Sequence, residues 1–199
     1  MDLPDYPLFP LSSVVFPGGV MPLRIFEPRY VDLVRICMRG NTGFGVCPLE
    51  GGSETAHTAA PRTVGTLVEI VDFDQLDDGM LGITVEGRRR FELQDRRQAD
   101  NGLWWGTVRF LTEDRDVPCP EEFAPLKQVA AALYARIGEP YASRGQDFES
   151  AGWLSARLTE LLPFDPATKH DLLATRDPVE RLRRIQPLVR IEAVQGEEN

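Results

Sequence analysis

The chain has 199 residues, enough for one large domain or two small ones sharing an interface. Its 42% hydrophobic and 27% charged residues sit near globular averages, which excludes global disorder. A net charge of −9 opposes binding to phosphate backbones, and no apolar run approaches the roughly 18–20 residues that span a bilayer.

In chain order, Met1-Asp2-Leu3-Pro4-Asp5 has acids and a proline where an export signal needs a basic cluster and an apolar helix. Residues 6–11 are apolar but proline-punctuated, which suits an edge strand. Val14-Val15-Phe16 runs into the turn Pro17-Gly18-Gly19, and residues 20–26 form the next extended stretch, with Leu23 and Ile25 on one face. Pro28 fits the first position of a helix. Tyr30, Leu33, Val34 and Cys37 supply its buried stripe, Arg29, Asp32, Arg35 and Arg39 its wet face, and Gly40 its end.

Residues 44–47 read as a short buried strand, and residues 50–61 as a mobile, polar surface loop. Strands at 66–73 and 81–85 are joined by the hairpin signal Asp77-Asp78-Gly79, and the second arm continues past a glycine bulge at Gly87 through Arg88-Arg89-Arg90. A further strand at 103–111 follows the Asn101-Gly102 turn. Many short strands with one interposed helix predict an α+β chain whose first part is a small, partly closed β-barrel. Residues 112–120 are charged and proline-rich, and the periodicity becomes helical beyond them. The predicted division is therefore a β-rich subdomain at 1–115, a helical bundle at 116–195 and a disordered tail at 196–199. Helices are expected from Pro120 to Ile137, from Phe148 to Leu162, and after the capping pairs Asp165-Pro166 and Asp177-Pro178.

Residues that would carry chemistry are missing or badly placed. There is no G-x-x-x-x-G-K-[ST], G-x-S-x-G or H-E-x-x-H motif. Cys37, Cys47 and Cys119 are scattered and odd in number, and His57 and His170 stand alone, so neither a zinc site nor a disulfide framework can be drawn. Reduced thiols in a cytoplasmic protein are expected. Lys127 and Lys169, the only lysines, fall on predicted exposed helix faces, which argues against a serine–lysine dyad; His170 reads as a solvated surface residue. Asp72, Asp74, Asp77 and Asp78 straddle a turn without a cation-loop spacing, and Arg88, Arg89 and Arg90 pair with neighbouring acids more readily than they form a nucleic-acid patch. Trp104 and Trp105 point to opposite faces of a strand. Both bury only if the sheet is covered on two sides; otherwise one anchors a partner.

Phe9-Pro10-Leu11, Val14-Val15-Phe16-Pro17-Gly18 and Pro22-Leu23-Arg24-Ile25-Phe26-Glu27-Pro28-Arg29-Tyr30 together resemble the opening of the Lon protease N-terminal domain family. The resemblance continues through Phe44-Gly45-Val46, Val64-Gly65-Thr66, Val85-Glu86-Gly87, Arg90-Phe91, Leu161-Leu162-Pro163 and Glu180-Arg181-Leu182. It implies a PUA-like β-barrel followed by a helical bundle: a free-standing substrate-recognition domain without the ATPase and Ser–Lys protease of the full enzymes. The expected function is non-catalytic and cofactor-free. The chain would bind unfolded or apolar polypeptide segments or a specific protein partner, as an adaptor or weak holdase, with a homodimer among the arrangements it allows. Phe16, Pro17, Gly18, Gly19, Trp104 and Trp105 are the candidate contact residues, with the 50–61 loop and the cleft between barrel and bundle as further surfaces. RNA binding is the alternative that a PUA-like fold suggests, and the acidity opposes it.

Overall fold

The computed structural model describes residues 3–50, 60–112, 115 and 117–189. Most of the loop expected at 50–61 and all of the tail at 196–199 lie outside the described residues, as do three positions of the charged linker.

Six strands form one mixed sheet: β1 (Asp5–Leu11), β2 (Val20–Ile25), β3 (Phe44–Pro48), β4 (Val64–Gln75), β5 (Leu81–Gln98) and β6 (Trp104–Phe110). The spatial order is β2-β5-β4-β3-β1-β6, and β6 pairs again with β5. All pairs are antiparallel except β1 with β3. The strand signals predict a small, partly closed β-barrel; the structure has a six-stranded mixed sheet that is not a clean barrel. The reason is the length of β5. Its 18 residues give one edge to β2 along the first half and to β6 along the second, so β2 stands outside the ring of pairings.

The β4–β5 hairpin turns where the Asp-Asp-Gly signal places it. Gly79 adopts φ +80°, which a side chain would strain, and its amide donates to the Leu76 carbonyl at 2.7 Å. The irregularity expected beside Gly87 is also present, as a register shift in which Leu67 faces Arg89 and Val68 faces Gly87. A bare backbone is required there: a Cβ on Gly87 would overlap the Phe16 carbonyl.

Helix α1 (Pro28–Gly40) lays Tyr30, Leu33, Val34 and Cys37 over one sheet face, into a core with Phe9, Ile25, Phe44, Val68, Ile83 and Val85. Arg29 corrects the expected wet face. It is buried because Glu27 lies 2.9 Å from its guanidinium, which also stacks 4.7 Å from the Tyr30 ring.

After the sheet come a 3-10 turn (Glu121–Phe123) and four helices, α2 (Ala124–Tyr134), α3 (Ala151–Leu161), α4 (Pro166–Ala174) and α5 (Pro178–Ile185). Ser150 caps α3 through the Trp153 amide at 2.9 Å, so this helix starts later than Phe148. Asp165 and Asp177 cap α4 and α5 as their sequence predicts. Phe123, Leu126, Leu154, Leu158, Leu172, Leu182 and Ile185 make the helical core. A smaller cluster of Val14, Phe16, Val64, Ala156 and Leu173 joins helices to sheet.

Candidate functional site

The Phe16–Gly19 turn is half taken up by the interior. Phe16 is buried, its ring 4.6 Å under the Arg181 guanidinium, and Gly19 is buried as well; Pro17 and Gly18 are exposed. Gly18 has φ +72°, and its amide donates to the Gly87 carbonyl at 2.8 Å, fastening the turn to β5. The two indoles separate by alternation. Trp105 leans on the core beneath α1, and Trp104 on a second cluster with Leu8, Phe91 and Val108. Arg96 lies 6.0 Å from the Trp104 ring and Arg97 5.6 Å from Trp105, so each indole is half-buried and lidded by a cation.

The expected cleft between sheet and helices exists, with a volume of about 270 Å³. Phe16, Pro17, Leu111, Trp153 and Ala156 give it apolar walls, and Arg90, Arg157 and Arg181 are the buried charges beside them. It gathers Phe16 and Pro17 of the candidate contact residues, and neither Trp104 nor Trp105. Backbone carbonyls orient the guanidiniums: Arg90 donates to Leu173 O at 2.7 Å, Arg181 to Leu172 O at 3.0 Å and Thr175 O at 2.6 Å. Arg88 follows the simple acid-pairing expectation, with Glu69 and Glu86. Arg89 stacks 4.2 Å from the Phe110 ring.

Lys169 also departs from its predicted exposed face. It is buried, and its Nζ donates to Ser13 Oγ at 3.1 Å and to the Glu160 carbonyl at 2.9 Å. Burial lowers its pKa, and the nearby Glu160 opposes that shift. A serine beside a desolvated lysine is the geometry of an activated nucleophile. Here Ser13 lines neither the cleft nor the grooves described below. The pair ties α4 to the loop between β1 and β2. Lys127 is held by Glu149 at 2.6 Å. His170 is half-buried between Thr63 and Asp171, contrary to the solvated reading. The three thiols are buried and unpaired, and burial pushes Cys37 up to about 11. No group of three potential metal ligands occurs among the described residues.

Three exposed apolar side chains, Phe26, Phe73 and Met80, fall elsewhere, at the free end of the β4–β5 hairpin, while Met38, Leu188 and Leu3 are comparably exposed at other points of the chain. Ile25 and Gln75 both pair with Leu81, and Phe73 pairs with Ile83. That register brings Phe26, Phe73 and Met80 to one end of the molecule, 54%, 46% and 37% exposed. Two shallow grooves flank β2 there. One of about 250 Å³ runs over Phe9, Leu11, Phe26 and Tyr30; the other, of about 210 Å³, runs over Pro22, Leu76, Gly82 and Thr84. The first has a rigid floor, since Phe9 and Tyr30 stack with centroids 3.8 Å apart. Sequence patterning missed this end, because exposed aromatics in a strand look the same as core residues until the sheet's coverage is known. The one usable signal was Phe73 alternating with Asp72 and Asp74 next to a turn.

The profile of the ATP-dependent protease La (LON) substrate-binding domain matches residues 5–190. The chain belongs to the Lon substrate-binding domain family. What matches is the non-catalytic, substrate-binding part of those proteases. A Lon N-terminal domain protein from Xanthomonas campestris is 36% identical, superposes with a TM-score of 0.76, and covers 94% of this chain and 100% of its own. The N-terminal domain of the Mycobacterium avium complex Lon protease, 19% identical, shares the fold with a TM-score of 0.62 over 92% of this chain and 97% of its own. The Lon protease of Cytophaga hutchinsonii is 27% identical over 184 residues, 88% of this chain and 22% of that protein. Cereblon of Danio rerio is 27% identical over 128 residues, 61% of this chain and 29% of that protein. The chain thus matches between 11% and 22% of the length of these Lon proteases. No helix among the described residues is long and apolar enough to cross a membrane.

Proposed function

We propose that this Lon substrate-binding domain acts as a non-catalytic, ATP-independent recognition module in the cytoplasm, holding exposed apolar segments of other proteins as an adaptor or weak holdase. In this reading the sheet half, 1–115, is a PUA-like barrel that carries the contact surface, and the helical bundle, 116–195, braces it. The observation that carries the reading is the gathering of Phe26, Phe73 and Met80 at the hairpin end, beside two apolar grooves. Burying such side chains gains about 25 cal/mol per Å², so two aromatic anchors and a flexible methionine supply the driving force for holding an unfolded chain. The hairpin end takes precedence over the other candidates. Phe16 and Gly19 are buried, and Trp104 and Trp105 lean on the core, leaving Pro17 and Gly18 as a subsidiary contact. RNA binding has no support in a chain of net charge −9.

Fluorescence anisotropy with a reduced, amide-alkylated model protein tests the reading. Saturable binding at tens of micromolar or tighter, about −6 kcal/mol, is expected. The Phe26→Ser/Phe73→Ser variant should bind at least tenfold more weakly with an unchanged melting temperature. Absence of saturable binding by the native domain refutes the proposal.

A further inference from the structure

We infer that the groove beside β2 selects client segments in which an apolar residue is flanked by lysine or arginine; this rests on the polypeptide-binding reading above and adds the client's charge. The starting point is strand register. Asp72 faces Thr84 and Asp74 faces Gly82 across β4 and β5, while Pro22 faces Thr84 and Arg24 faces Gly82 across β2 and β5. Opposed residues share a sheet face, so both aspartates stand on the face that carries the 210 Å³ groove. Asp74 is part of its wall.

The floor is apolar because of one residue. Gly82 has no side chain, and a Cβ there would sit 3.0 Å from Leu76 Cδ2, within the groove. An incoming leucine or phenylalanine side chain can therefore rest against Leu76, Pro22 and bare backbone.

The charge around that floor is one-sided. Arg24 is the cation of the groove wall, and its guanidinium is ion-paired with Asp78. Asp74 and Asp77 have no cationic partner among the described residues, and Asp72 accepts only the amide of Phe73, at 2.9 Å. Asp74 in the groove wall, Asp72 on the same sheet face and Asp77 in the adjoining turn are consequently exposed carboxylates with no cation to balance them among the described residues. Turn formation accounts for Asp78, which accepts the Met80 amide at 3.1 Å, but not for Asp72 or Asp74, which lie within β4. A lysine or arginine next to the docked apolar residue meets these carboxylates. A glutamate there meets like charge, which is how an interface discriminates against a wrong partner.

Three labelled peptides with one apolar core and lysine, glutamine or glutamate flanks test this by anisotropy. Measurements at about 0.1 M and about 1 M salt change the screening length from about 10 to about 3 Å. The lysine peptide should bind at least tenfold more tightly than the glutamate peptide at the lower salt, with most of that difference gone at the higher. Asp72→Asn/Asp74→Asn/Asp77→Asn should remove the preference while leaving the glutamine peptide's affinity in place. The charge-matched Glu121→Gln/Glu122→Gln/Glu139→Gln control, on the helical side, should keep it. If the triple aspartate variant does not fold, Asp74→Asn/Asp77→Asn carries the same comparison. Equal affinity for lysine and glutamate peptides, or a preference that the aspartate variants do not alter, overturns the inference and leaves polypeptide binding standing. Failure of all three peptides to bind removes both.

Discussion

Glu160 receives the Phe16 amide: its Oε1 accepts that N–H at 2.6 Å, across 144 residues of sequence. The same oxygen accepts from Arg157 at 2.9 Å, and Arg157 Nε lies 2.8 Å from the other oxygen, at ion-pair distance but without hydrogen-bond alignment. Both side chains are almost fully buried, and Arg157 also reaches the Pro17 carbonyl at 3.5 Å. The turn that leads into β2 is thus fixed by a charge pair on α3. Burial raises the Glu160 pKa, while Arg157, the Phe16 amide and Lys169 pull it down; the net direction is upward.

Glu160→Gln should therefore have a pH-dependent cost. A carboxyl whose folded pKa exceeds its unfolded one stabilises the fold most below the unfolded value, near 4.5, and loses that contribution as pH rises through the folded pKa. The native protein should show this fall from about pH 4.5 upward, and the glutamine variant should lack it. At neutral pH the variant leaves Arg157 buried without its counter-ion, and a loss of about 3–5 kcal/mol is expected. Denaturant unfolding of both proteins from pH 5 to 8 measures the difference directly. A pH-independent gap between the two would contradict the assignment.

Gly87→Ala should be the costliest single methyl addition in the sheet. Its Cβ would overlap backbone, the Phe16 carbonyl, which cannot rotate away as a side-chain tip can. A loss of about 2–3 kcal/mol is expected, because overpacking against fixed atoms forces strand and turn apart. Gly138→Ala, where a Cβ meets nothing within 4 Å, should change stability by less than about 0.5 kcal/mol. Midpoints of urea unfolding for the two variants make the comparison.

Asp177→Ala removes the acceptor of the Val179 and Glu180 amides, at 2.9 and 3.3 Å, from the start of α5. Loss of a satisfied N-cap costs about 1 kcal/mol. Replacement by serine, which can accept the same amides, should restore most of it. Equal stability of the alanine and serine variants would show that the proline at the first helical position suffices to start the helix.

The elements of the fold were legible where local chemistry dictates them. The buried stripe of α1, the Asp-Asp-Gly hairpin, the bulge beside Gly87 and the acid–proline caps are each set by a few neighbouring residues. Side chains whose environment comes from distant segments were not. Arg29, Lys169 and Arg90 read as surface cations, yet each is buried against carbonyls or an acid contributed by tertiary packing. The same blindness hid the candidate site. Phe73 alternates like a core residue, and it is exposed because β4 extends past the part of the sheet that α1 covers. The sharing of one edge of β5 by β2 and β6 was equally out of reach, since it depends on pairings between distant segments.

Arg181→Lys offers the strongest test of how the two halves are joined. Arg181 is fully buried and spreads its guanidinium across three acceptors on three segments: Leu172 O on α4, Ser155 Oγ on α3 and Thr175 O after α4. Its face also covers the Phe16 ring, which belongs to the loop entering the sheet. Lysine keeps the charge but has a single nitrogen, so it cannot reach all three acceptors or stack as a plane. Hydrogen bonds from a charged donor are worth about 1.5–3 kcal/mol each, and with at least two of them lost a cost of at least about 3 kcal/mol is expected. Loosening should also spread to the turn, so the amides of Phe16 and Gly18 should exchange hydrogen faster in this variant while those of β3 keep their protection. Unaltered exchange at Phe16 and Gly18 would mean that Arg181 organises the helices alone, with Glu160 holding the turn unaided.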